Sequence, residues 1–162
     1  IKILSVILGG NMSSRLFTLI REKHGLAYYV RSTAENYTDS GYLVTQAGVD
    51  NKKINQTISL ILSEYKKIKK QKVKNAELTK AVEYIKGSTQ INLETSDEVA
   101  NYLAVQEILT KKVLTIEEQF AFLDKVTAKD VQRVAQDIFQ PHKLNLAIIG
   151  PEKTDFGQIL KI

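Results

Sequence analysis

Two adjacent glycines, Gly9 and Gly10, interrupt an apolar run and open the stretch that most restricts how this chain can fold. Residues 9–30 hold a helix start, a helix stop and a strand start. Ser13 is placed to accept from the backbone N–H groups of a new first turn, as an N-cap does, so a helix is expected to begin there. Leu16, Phe17, Leu19 and Ile20 give that helix an apolar stripe. Arg21 and Lys23 fall in its last turn, where they complement the helix dipole, and Gly25 suits the left-handed conformation that ends a helix, here near His24. Leu26, Ala27, Tyr28, Tyr29 and Val30 follow with aromatic and β-branched character, so the chain should pass through Gly25 directly into a strand. Arg21 and Tyr28 would then flank one tight helix-to-strand turn.

The remainder reads as scaffold. Residues 27–36 and 41–49 have strand character and are joined by Tyr37-Thr38-Asp39-Ser40-Gly41, a turn-rich link, which predicts a hairpin. Strict alternation groups Tyr28 with Val30, Ser32 and Ala34 on one face, and Tyr29 with Arg31 and Thr33 on the other. Asp50 or Asn51 is expected to cap a helix whose apolar positions are Ile54, Ile58, Ile61, Leu62, Tyr65 and Ile68. A further helix starts near Ala76 and carries Leu78, Ala81, Val82 and Ile85, with Gly87 inside it or near its end, a place where a kink could fall. Thr95-Ser96-Asp97-Glu98 offers a capping box for a helix through Ala100, Leu103, Ala104 and Ile108, and Thr115 and Thr127 repeat the device before two more helices. Pro141 ends the last, and Leu144, Leu146, Ile148 and Ile149 read as a buried strand stopping at Gly150-Pro151. This order predicts an α+β fold, a β-hairpin sheet with packed helices, in one domain over residues 1–162. The chain opens on Ile1 inside an apolar helical run, so it is expected to be a piece of a longer protein whose earlier residues supply further strands.

The run G-G-N-M-S-S-R-L-F-x-x-I-R-E-K-x-G-L-A-Y, residues 9–28, resembles the C-terminal half of the M16 metallopeptidases, which include pitrilysin, insulin-degrading enzyme and the mitochondrial processing peptidase. Val126-Thr127-Ala128-Lys129-Asp130 and Leu146-Ala147-Ile148-Ile149-Gly150-Pro151 are similar to that family's usual ending. The resemblance implies a roll of sheet and helices and a role in peptide hydrolysis. It implies that Arg21 and Tyr28 reach toward an active site whose zinc ligands lie on a separate N-terminal domain, in the same chain or a partner. Asn11 departs from the family, where a third glycine is common; Asn tolerates positive φ better than other non-glycine residues.

The residues of this chain do not supply a zinc peptidase centre, which needs imidazoles and a carboxylate converging on the metal and a general base beside it. His24 and His142 are the two histidines, and neither lies in H-E-x-x-H or its inverse H-x-x-E-H. Both read as surface residues, so no metal ligand is expected here and zinc is expected on the absent N-terminal domain. Ser13 and Ser14 lack a G-x-S-x-G elbow and read as caps, and Gly9-Gly10 lacks a phosphate-loop pattern and reads as a helix stop. No catalytic residue is therefore expected within this chain alone, and alone it should hydrolyse nothing.

Arg21 and Tyr28 remain as the candidate substrate-binding pair. Without the resemblance they would read as a solvated helix end and a half-buried sheet residue. Chemically, a guanidinium offers a planar fork of donors and a phenol one more donor at fixed reach, a combination suited to negative charge developing on a carbonyl oxygen. Tyr29 is expected to face the core. The resemblance implies an extended peptide as substrate and a homo- or heterodimer as assembly; the alternative is a zinc-less partner or structural subunit of an M16-like complex.

The net charge of +5 is concentrated in Lys66, Lys67, Lys69, Lys70, Lys72 and Lys74. Those lysines fall at a helix end and in its connector, with no aromatic platform among them, so they read as solvated surface and no nucleic-acid partner is expected. Zero cysteines exclude disulfides and thiolate chemistry, and fit a reducing compartment: the cytoplasm, or the mitochondrion in a eukaryote. No apolar run reaches membrane-spanning length.

Overall fold

The apolar N-terminal run forms a helix that is covered on every side. The computed structural model describes residues 1–151, 156 and 158–160. Helix α1 (Lys2–Ser5) continues without a break into a π-helical segment, Val6–Gly10, and Ile3 through Gly9 are all buried. A helix that is apolar all round belongs in an interior. Here it is wrapped by the hairpin on one side and by helices α3 (Asn75–Asn92) and α6 (Ala128–Ile138) on the others. Leu4 and Leu8 are among its largest fully buried side chains, each stabilising the fold by about 1.5–3 kcal/mol through removal from water.

Gly9 ends this helix at a place where only glycine fits. A Cβ there would lie 2.4 Å from the backbone nitrogen of Ser32 and 2.6 Å from its Oγ. The helix end and strand β1 (Ala27–Asn36) therefore meet backbone to backbone. β1 pairs antiparallel with β2 (Gly41–Val49) in a two-stranded sheet, from Ala27 opposite Val49 to Asn36 opposite Gly41. The predicted hairpin is present with those limits, and its turn closes through the Tyr37 N–H and the Ser40 carbonyl at 2.9 Å. Inside, the buried Ser32 hydroxyl lies 2.7 Å from Thr45 Oγ1, which also accepts from the Tyr65 hydroxyl at 2.6 Å.

Tyr65 comes from α2 (Ile54–Lys70), whose buried Ile54, Ile58, Leu62, Tyr65 and Ile68 follow helical spacing. Asp50 caps the short 3-10 turn before it, accepting from the Lys52 N–H at 2.8 Å. α6 closes over α2: the Tyr65 and Phe139 rings stack at 4.0 Å, and Gln132 and Gln136 both donate to the Lys69 carbonyl at 3.0 Å, satisfying the end of α2. α3 runs as one helix through Gly87, and nothing lies within 4 Å of a Cβ at that position.

Two expectations fail on the far side of the molecule. α4 (Ser96–Thr110) forms where Thr95 caps it, but the cap is one-sided, whereas Thr115 and Thr127 make reciprocal boxes for α5 (Ile116–Asp124) and α6. α4 buries no residue, and Ile108 is 67% exposed, because no described element lies over it. Its ties to α5 are polar, through Gln106, which bonds the Leu114 N–H at 3.1 Å and the Gln119 amide at 3.0 Å. Residues 144–149 are not a buried strand either. Among the described residues the sheet consists of β1 and β2, no strand lies beside this segment, and Leu146, Ile148 and Ile149 remain at the surface.

Candidate functional site

The turn between the second helical segment and β1 is fixed from three directions. Residues Phe17–Lys23 form a π-helical segment with Leu16 and Ile20 fully buried beneath it. The chain enters through Asn11, whose side-chain oxygen accepts from the Ser13 N–H at 3.0 Å and from the Ser13 hydroxyl at 2.9 Å. The cap is thus Asn11 rather than Ser13: Asn11 sits two residues earlier and is extended, so it needs no positive φ, and Ser13 serves it as a donor. Ser14 adds a bond from its hydroxyl to the Asn11 carbonyl at 2.6 Å. At the other end Gly25 adopts φ +56°, the left-handed conformation expected of it, and the Leu26 N–H reaches back to the Ile20 carbonyl at 2.9 Å. Lys53, just before α2, donates to the Gly25 carbonyl at 3.1 Å, tying the turn to the next helix.

Arg21 stands at the surface in the last turn of the π-helical segment, its guanidinium carbon 4.9 Å from the centre of the Phe17 ring. The ring meets the face of the guanidinium, which leaves the N–H edges of the fork available as donors at the surface. π-Helical turns are rare and are found disproportionately at functional sites. Tyr28 lies across the turn and is 86% exposed. Both predicted site residues are therefore brought to the surface on the two sides of one pinned bend.

Tyr28 owes its exposure to an irregularity that alternation does not reveal. Ala27 pairs with Val49 and Tyr29 with Gly48, so Tyr28 is an extra residue, a β-bulge. In unbroken alternation Tyr28 would join Val30 and Ser32, which are buried. With the bulge it turns outward, Ala27 turns inward, and Tyr29 is also outside at 48% exposure. The expectation of Tyr29 in the core is thus corrected. Its ring lies over Gly48, where a Cβ would meet Cε1 at 2.5 Å. The sequence signal for the bulge is an aromatic pair facing a strand glycine.

A second arginine, Arg15, takes the opposite role, which the sequence did not single out. Its Nε and Nη2 donate to the two oxygens of Glu77 at 2.6 and 2.7 Å, and Nη1 lies 4.0 Å from the buried Glu64, which also pairs with Lys67 at 2.6 Å. This cluster ties the start of the second segment to α2 and α3. The bond to Glu77 raises the Arg15 pKa further above its ordinary value. Arg15 is committed to the fold, and among the described residues Arg21 forms no ion pair.

The donor set of the described residues does not fit zinc. His24 and His142 are both exposed, and among the described residues no three His, Cys, Asp or Glu side chains come together as a metal site would require. Nor, among those residues, is any helix long and apolar enough to cross a membrane.

A π-helical segment, a sharp glycine turn and a bulged strand hold Arg21 and Tyr28 at the surface, within the run that resembles the M16 peptidases. Comparison with known proteins agrees: residues 1–85 match the peptidase M16 inactive domain, and the chain belongs to that family. It is 31% identical to an uncharacterised zinc protease of Streptomyces coelicolor over 151 residues, covering 93% of this chain and 33% of that protein. It is 29% identical to the β subunit of the mitochondrial-processing peptidase of Saccharomyces cerevisiae, covering 90% of this chain and 32% of that protein. A solved structure of a conserved protein from Enterococcus faecalis superposes with a TM-score of 0.73 at 30% identity, covering 83% of this chain and 31% of that one. The chain thus spans about a third of the length of the curated relatives it matches.

Proposed function

We propose that this chain is the C-terminal, non-zinc half of an M16-type zinc metalloendopeptidase, which closes the chamber over an extended peptide and contributes Arg21 and Tyr28 to its binding. The zinc and the hydrolytic residues belong to a separate N-terminal domain, in the same chain or in a partner. What carries this reading is the exposure of Arg21 and Tyr28 on the two sides of one turn that three contacts hold in place. The guanidinium fork and the phenol hydroxyl donate toward the scissile carbonyl or its neighbour. They oppose the negative charge that gathers on oxygen as the tetrahedral species forms, an effect of about 2–4 kcal/mol for a single donor of this kind. Donors held in advance are effective because no reorganisation is needed at the moment of reaction.

The test is steady-state cleavage of an internally quenched peptide by the full-length, zinc-loaded protein. Arg21→Ala is expected to lower kcat/KM by roughly ten-fold or more, and Arg21→Lys to recover only part of it, because an ammonium lacks the planar fork. Unchanged kcat/KM in Arg21→Ala would remove Arg21 from the mechanism. A full-length protein that binds no zinc and cleaves no peptide would instead mark a structural or partner subunit.

A further inference from the structure

The direction of Tyr28 depends on the bulge, and the bulge has a visible brace. Tyr29, the residue after the extra one, lays its ring across the partner strand over Gly48. Gly48 carries no positive φ, so its lack of a side chain is explained by the ring rather than by the backbone. An added methyl would fall within 2.5 to 3.4 Å of three ring carbons, Cε1, Cδ1 and Cζ. The ring needs that space in order to lie flat on the sheet. Cross-strand aromatic contacts of this kind set register in antiparallel pairs, and a glycine beneath an aromatic ring is a recurrent form of it.

We propose that Tyr29 and Gly48 form a cross-strand lock that sets the direction of Tyr28, making Tyr29 a positioning residue for the substrate-binding pair. The lock holds Ala27 inward, Tyr28 outward and Val30 inward, the pattern observed. Without it, the strand is free to return to regular alternation, which carries Tyr28 toward the buried face of Val30 and Ser32 and out of solvent. The work is done by the ring and not by the hydroxyl. This inference rests on the reading that Tyr28 binds substrate.

The experiment compares Tyr28→Ala, Tyr29→Ala, Tyr29→Phe, Gly48→Ala and the double variant Tyr28→Ala/Tyr29→Ala in the full-length protein, with an internally quenched peptide as probe. Tyr29→Ala and Gly48→Ala are each expected to lower kcat/KM by about ten-fold, the scale of an ångström-sized misplacement, while Tm stays within about 3 °C. Tyr29→Phe should behave as wild type. The double variant should be no slower than Tyr28→Ala, since a lock has nothing to hold once its bolt is removed. Wild-type kcat/KM in Tyr29→Ala, or losses that add in the double variant, would overturn the lock while leaving Tyr28 as a binding residue. Wild-type kcat/KM in Tyr28→Ala would instead overturn the functional reading itself. Should Tyr29→Ala fail to fold, Gly48→Ala decides, because it displaces an exposed ring rather than removing it.

Discussion

Gly9→Ala and Gly87→Ala make the same chemical change and should have opposite effects. At Gly9 the new Cβ falls 2.4 Å from Ser32 N, 2.6 Å from Ser32 Oγ and 2.9 Å from Ser32 Cβ, closer than carbon approaches such atoms in folded proteins. The nearest of these is strand backbone, held by the pairing of Ser32 with Thr45, so it does not yield cheaply. Overpacking of this kind costs about 1–3 kcal/mol. Displacing the Ser32 hydroxyl from Thr45 adds about 1 kcal/mol for the hydrogen bond. The sum is about 2–4 kcal/mol, equivalent to a fall in Tm of roughly 10 °C for a domain of this length. At Gly87 nothing lies within 4 Å and the residue sits inside α3, so alanine should add about 0.5–1 kcal/mol by reducing backbone freedom in the unfolded chain. Urea unfolding followed by far-ultraviolet circular dichroism measures both. A Gly9→Ala protein within about 1 kcal/mol of wild type would refute the claim of backbone contact between the opening helix and β1.

Two further perturbations separate fold from site. Arg15→Ala breaks a two-pronged bond and leaves Glu64 buried with Lys67 alone, so it should destabilise by about 2–3 kcal/mol, whereas Arg21→Ala should stay within about 0.5 kcal/mol of wild type; equal losses in urea titrations would contradict the division of labour between the two arginines. Burial raises the pKa of the Tyr65 hydroxyl above its ordinary value of 10.0, with the Thr45 hydrogen bond opposing. The neutral phenol is therefore favoured in the folded state, its stabilisation is fully present below about pH 10, and it is lost as pH rises past that value. Tyr65→Phe should flatten the alkaline limb of the stability profile, and an unchanged limb would assign the loss to other groups.

What could be read in advance was local. The hairpin appears at its predicted limits because residues 37–41 carry their own turn chemistry, and α2 appears because five buried positions repeat at its period. The turn at Gly25 was legible for the same reason, since a left-handed glycine after a basic helix end is a sequence-level stop. What escaped depends on partners distant along the chain. The bulge at Tyr28 arises in the pairing of β1 with β2, and alternation alone placed Tyr29 in the core. Arg15 could be told apart from Arg21 only by Glu64 and Glu77, which lie on other helices. The apolar segment at 144–149 reads as buried because its pattern is that of a buried strand, yet no described element covers it. A pattern states what a segment could bury, and only the neighbours determine whether it does.

The contact of Gly9 with Ser32 leaves no compliant layer between the central helix and the strand that bears the exposed phenol. Interiors packed this closely pass on small displacements instead of absorbing them. Ser32 is four positions along β1 from Tyr28, so β1 acts as a short lever with its fulcrum in the core. Repacking at the buried Leu4 or Leu8 is therefore expected to be felt along β1, the strand that carries the exposed Tyr28.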